Sequence, residues 1–328
     1  MYRTLVFAAT LLTFVVVVVG AYVRLSDAGL GCPDWPGCYG QLTPDHAHED
    51  IARAVEEQGG AHGPVSRPKA WKEMGHRYIA GMLGLAIAAI ALLAWRRRNA
   101  LGQSPWLATA LVVVVVLQAT LGMWTVTLIL KPVIVTLHLL GGMTVLALLV
   151  WLSLRQIRLA TPGSSAAIAP LRPLAAIGLV LVAVQIALGG WVSSNYAALA
   201  CTDFPLCRGA IVPAMNWQHA FHILRELGMT PDGDLLPMES LVAIHWVHRL
   251  GAYVVAAFSL FLAMRLLAVP SLRPLGWLLA ALVALQFTIG VLNVLLSLPL
   301  ALAAAHNAGA ALLLVTLVVI NFRLRSPG

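Results

Sequence analysis

The chain has 328 residues, 60% of them hydrophobic and only 10% charged, with a formal net charge of +8. Soluble domains carry about 25% charged residues, so this composition excludes a soluble globular protein. The basic residues form no single patch, which sets aside a nucleic-acid partner. A bilayer core of about 30 Å needs about 20 apolar residues per helix. Eight stretches meet that demand: 4–23, 73–95, 105–128, 133–152, 173–193, 241–264, 274–296 and 301–321. Strict alternation of period two is absent, so helices and not a closed barrel are expected to satisfy the backbone.

The connections between spans differ in charge. Arg3, Arg96, Arg97, Arg98, Arg155, Arg158, Arg172, Arg265, Arg273, Arg323 and Arg325 fall on one side, with no acidic residue among them. All 13 acidic residues lie on the other side, which carries two long loops, 24–72 and 194–240. The positive-inside rule then predicts cytoplasmic termini and outward-facing loops. The first span, behind Arg3, could also be read as a secretory signal. Its length and its counterpart in the fifth span argue for a retained helix.

The chain repeats itself. Cys32-Pro-Asp-Trp-Pro-Gly-Cys38 aligns with Cys201-Thr-Asp-Phe-Pro-Leu-Cys207, His76-Arg77 with His248-Arg249, and His138 with His306. Val23, Leu30 and Pro44 match Val192, Leu199 and Pro213, and Gln118-Ala-Thr-Leu-Gly122 matches Gln286-Phe-Thr-Ile-Gly290. The offset moves from 169 to 172 and back to 168, so the small insertions sit in loops. Four spans per copy is an even number, so both copies enter the membrane from the same side as parallel repeats. The expected fold is an all-α integral membrane protein, two parallel-repeat four-helix bundles divided as 1–160 and 161–328.

Of the ten histidines, His46, His48, His62, His219 and His222 fall in the outer loops, where solvation explains them. His76, His138, His248 and His306 lie instead a few residues inside the outer ends of spans 2, 4, 6 and 8. Ionisable groups within spans are costly and face the bundle interior. Two imidazoles at equal depth on neighbouring helices can hold a haem iron, which gives the pairs His76–His138 and His248–His306. A proton relay is the alternative; zinc lacks a third ligand recurring in both halves. Arg77 and Arg249 could pair with haem propionates or snorkel to headgroups.

Glu73 stands three residues before His76, on the same helix face, where the second half has His245. The four cysteines form two C-x5-C pairs on the outer side, where disulfides Cys32–Cys38 and Cys201–Cys207 are expected. A structural staple and a redox role both remain open for them. Gln118, Gln185 and Gln286 share the pattern Q-x-x-x-G on spans 3, 5 and 7, suited to close packing or to a cofactor contact.

Together, Gly29-Leu30-Gly31-Cys32-Pro33-Asp34-Trp35-Pro36, Glu73-Met-Gly-His76-Arg77, His138, His248-Arg249 and His306 resemble the heme A synthase family over essentially the whole chain. The resemblance implies oxidation of a ring methyl group of haem O to a formyl group, through a hydroxylated intermediate, to give haem A for cytochrome oxidase. It implies that His76 and His138 hold the substrate haem and that His248 and His306 hold a haem b cofactor. It also implies a catalytic Glu73, for which a partly desolvated carboxylate is suited, and a functional Cys32–Cys38 pair, with Cys201–Cys207 structural. The implied location is the bacterial inner membrane. Candidate partners are membrane lipid, the haem O synthase, cytochrome oxidase assembly factors and further copies of the chain. A diheme b-type cytochrome passing electrons between quinone and an outer partner is the main alternative reading. A haem or small-molecule transporter is a second, though it would not need a single glutamate at one site.

Overall fold

The computed structural model describes residues 1–60, 63–157 and 168–325. His62, Arg158 and the boundary expected at 160/161 lie outside the described residues. Among those described, eight helices are long and apolar enough to cross a membrane. They are α1 (Tyr2–Leu25), α2 (Arg67–Arg96), α3 (Trp106–Thr127), α4 (Pro132–Arg155), α5 (Leu171–Ser194), α6 (Met238–Leu267), α7 (Arg273–Leu295) and α8 (Leu300–Leu324). Each contains or closely overlaps one of the eight apolar stretches. The largest difference is at the start of α2, which begins six residues before the apolar run. Ser66 caps it, its hydroxyl accepting the Lys69 N–H at 3.3 Å, and Pro68 fits the first turn.

At 1.5 Å per residue the 30-residue α2 and α6 reach about 45 Å, longer than a hydrocarbon core. Polar Glu73 and His76, and likewise His245 and His248, are therefore built into the first three turns of a continuous helix. Leu11, Leu85, Val116, Val180, Val254, Met264 and Leu285 are exposed on the helix flanks. So much outward apolar surface suits lipid and not water.

The chain divides into two compact units, Met1–Val145 with Ile223–Leu227, and Leu146–His222 with Gly228–Gly328. In the first, α2 packs between α1 and α3, and the start of α4 approaches Gln118 of α3 and Val17 of α1 through Gly141 and Gly142. In the second, α5, α6, α7 and α8 pack in succession, and α8 returns to α5 to close the ring. The α3–α4 and α7–α8 connections use the same tight turn. Ile129 and Leu130 in one, Ser297 and Leu298 in the other, take left-handed φ between 47° and 61°. Leu130 N–H then reaches the Thr125 carbonyl at 2.8 Å and Leu298 N–H the Asn293 carbonyl at 2.7 Å.

Candidate functional site

Each unit carries a disulfide loop seated on the N-terminal end of a long helix. Cys32–Cys38 and Cys201–Cys207 are both disulfides, with Cα–Cα distances of 4.8 and 4.7 Å. The loops close by two-residue turns: Cys38 and Gln41 exchange backbone hydrogen bonds at 2.8 and 3.0 Å, Cys207 and Ala210 at 2.9 and 3.1 Å. Such a turn needs positive φ at both central residues, and Tyr39 (51°) with Gly40 (72°), and Arg208 (55°) with Gly209 (77°), supply it. Asp34 accepts the N–H groups of Tyr39 and Gly40 at 2.6 and 2.8 Å. Asp203 accepts those of Arg208 and Gly209 at the same distances.

An arginine fastens each loop to its helix. Arg77 Nη1 donates to the carbonyls of Asp34 at 2.8 Å and Gly37 at 2.5 Å. Arg249 donates to those of Asp203 at 2.8 Å and Leu206 at 2.9 Å from Nη1, and of Cys201 at 2.7 Å from Nη2. Both arginines thus attach a loop to its helix, a task the sequence reading did not assign them.

Glu73 and His245 occupy equivalent places beneath these loops, 5% and 4% exposed. Glu73 pairs with Arg77 Nη2 and accepts the Cys32 N–H at 3.0 Å through Oε2. His245 Nδ1 accepts the Cys201 N–H at 3.3 Å, and its Nε2 faces Arg249 Nε at 3.3 Å. One position therefore performs one structural task twice, with a carboxylate in the first unit and an imidazole in the second.

One turn deeper stand the four histidines singled out above. Their rings are half-buried. His76 and His138 belong to the first unit, His248 and His306 to the second. The Nδ1 atoms of His76, His138 and His306 are buried without a hydrogen-bond partner. Each ring lies on a glycine of the preceding helix. A Cβ added to Gly20 of α1 would stand 2.8 Å from Cε1 of His76, and one on Gly122 of α3 would stand 3.2 Å from that of His138. On Gly189 of α5 and Gly290 of α7 it would stand 3.1 Å from those of His248 and His306. No side chain larger than hydrogen leaves the ring where it is.

Gln185 Nε2 donates to the main-chain oxygen of His248 at 2.9 Å and lies 3.1 Å from its Nδ1. Gln286 Nε2 donates to the main-chain oxygen of His306 at 2.8 Å. The amide of Gln118 lies against Gly141, and those of Gln185 and Gln286 against Gly251 and Gly309, each leaving no room for a Cβ. The Q-x-x-x-G pattern is therefore a seat for a histidine as well as a packing device.

Gly20, Gly141, Gly251 and Gly309 were not singled out from the sequence. Self-comparison carried a signal for three of them: Gly20 is in register with Gly189 at offset 169, and Gly141 with Gly309 at offset 168.

Among the described residues no group of three or more His, Cys, Asp or Glu side chains is placed to hold a metal ion. Two imidazoles per unit suit instead an iron that arrives with four ring nitrogens of its own. The buried, unpartnered ring nitrogens and the close glycine seats fit residues that would hold a haem iron.

Comparison with known proteins agrees over nearly the full length. Residues 3–318 match a family described as cytochrome oxidase assembly protein. A heme A synthase of Shewanella oneidensis is 42% identical, covering 94% of this chain and 92% of its own. Heme A synthases of Hyphomonas neptunium (31% identical, 90% of this chain, 85% of its own) and Bradyrhizobium diazoefficiens (30%, 98% and 91%) are similar over comparable lengths. These relatives give no support to a diheme electron carrier.

Proposed function

The chain belongs to the family of cytochrome oxidase assembly proteins, and from that premise we propose that it works as a two-site membrane oxidoreductase converting haem O to haem A. In this reading the first unit is the substrate site and the second the cofactor site, two parallel repeats that have diverged in role. His76 and His138 hold the substrate haem, and His248 and His306 hold haem b. A haem held by His248 and His306 would supply a one-electron couple able to relay the substrate's electrons to an external acceptor.

The observation that carries this division is the exchange of Glu73 for His245 in otherwise matching surroundings. With water supplying the oxygen, turning a methyl into a formyl group (CH3 + H2O → CHO + 4 H+ + 4 e−) releases protons, and among the described residues only the first unit has a carboxylate one helical turn from its proposed ligand. A carboxylate has about four acceptor sites. Those of Glu73 taken by Arg77 and the Cys32 N–H leave capacity for a proton. Arg77 and Arg249 keep the disulfide loops seated over the ligand helices, and the N–H groups they do not spend there would face propionates. The product then passes to cytochrome oxidase assembly, with the haem O synthase as the supplying partner. The chain would lie in a bacterial plasma membrane, termini inside and disulfide loops outside, where an oxidising compartment preserves the disulfides.

Mass analysis of haems extracted from the purified protein tests this reading. Haem O or haem A beside haem b is expected; haem b alone would return the diheme cytochrome.

A further inference from the structure

The four histidines share a glycine floor and do not share a clamp. In the second unit both are fastened: Gln185 and Gln286 donate to the main-chain oxygens of His248 and His306 at 2.9 and 2.8 Å. Each amide reaches that oxygen because the residue three positions after the histidine is glycine, Gly251 or Gly309. In the first unit His138 keeps the seat, with Gln118 against Gly141. His76 keeps only the floor. The residue four before Gly20 is Val16, where the other three floors have glutamine, and the residue three after His76 is Ile79, where the others have glycine. Neither Val16 nor Ile79 can donate a side-chain hydrogen bond.

From this we propose that Gln185 and Gln286 are positioning residues that retain the haem of the second unit, and that His76 is the ligand that releases the haem of the first. The inference rests on the two-site reading above and extends it, since a substrate site must let its haem enter and leave while a cofactor site must not. A bond to a main-chain carbonyl pins helix against helix at the ligand, so the helix cannot carry the imidazole away without breaking it. The tight floor under His76 aligns the ring while leaving the helix pair free of that polar tie.

Haem transfer to apomyoglobin, followed by absorbance on protein loaded with haem b alone, reads ligand release without turnover. Two phases are expected, the fast one missing in His76→Ala. Gln185→Met and Gln286→Met, near-isosteric and unable to donate, should each speed the slow phase about tenfold, the order expected for one lost hydrogen bond. They should leave the fast phase and the absorption spectrum of the bound haem unchanged. The converse variant, Val16→Gln with Ile79→Gly, should slow the fast phase and does not depend on the glutamine variants folding. An unchanged slow phase in both glutamine variants, or a fast phase that survives His76→Ala, would overturn the inference. Two phases behaving as stated in a protein that yields no haem A would instead reject the proposed reaction and leave the clamp standing.

Discussion

Glu73 and His245 sit under equivalent loops, each accepting the N–H of a first cysteine and each beside the arginine four residues on. That equivalence allows the structural and chemical contributions of Glu73 to be separated. Glu73→Gln keeps the size and can still accept the Cys32 N–H, while losing the charge and the ability to take a proton. It should fold and carry haem b, yet accumulate haem O or the hydroxylated intermediate, with haem A formation reduced about 10²–10⁴-fold as for a lost acid–base group. Glu73→His copies what the second unit already tolerates, so it should preserve the loop and also fail to make haem A. Haem A at ordinary levels from either variant, read in a haem extract, would reduce Glu73 to a loop anchor. The histidines divide in the same way: His248→Ala or His306→Ala should abolish the low-spin haem b spectrum, whereas His76→Ala and His138→Ala should spare it. A normal haem b spectrum in His248→Ala would show that the cofactor site lies elsewhere.

The disulfide loops are elements held at three points: the disulfide, the aspartate over the turn and the arginine beneath. Closing so short a loop lowers the entropy of the unfolded chain by about 2 kcal/mol on the loop-closure account. Replacing Cys201 and Cys207 by serine should therefore lower thermal stability without removing haem b, measured by the melting of its absorbance. The aspartate adds a dependence on acid. The N–H groups of Gly209 and Arg208 hold the Asp203 carboxyl below its ordinary value, against the opposing effect of desolvation. A carboxyl depressed in the folded state contributes stability above its unfolded pKa of about 3.9, and that contribution is lost as pH falls through the folded value. Hydrogen-exchange protection at residues 203–210, taken relative to the intrinsic rate at each pH, should hold at pH 5 and fall below about pH 4, and Asp203→Asn should flatten that step. Exchange already rapid at pH 5 in the unaltered chain would show that the aspartate does not hold the turn.

At the scale of the whole molecule, the arginine-rich connections predict cytoplasmic termini. Alkaline phosphatase fused within 24–66 or 195–236 should be active, and fused within 97–105 or after 325 inactive; the reverse pattern would invert the topology. The eight spans were legible because apolar length is a one-dimensional property: a bilayer reads hydrophobicity along the chain before any helix meets another. The candidate ligand histidines and the cysteine pairs were legible because polar residues stand out in apolar sequence and recur at nearly constant offset. The roles of Arg77 and Arg249 were not, since the carbonyls they bind are main-chain atoms from a loop some 40 residues earlier, and every residue carries one. Gly20 was legible only as the repeat counterpart of Gly189, and its task was not, because one glycine in an apolar helix looks like any other until a ring from the next helix lies on it. Sequence alone determined the membrane class, the helix count, the repeated motifs and the candidate ligands, all carried by residue type and spacing. Only the tertiary structure decided what each polar group is spent on, because hydrogen bonds and close approaches between helices depend on direction and depth, and neither is written in the order of the residues.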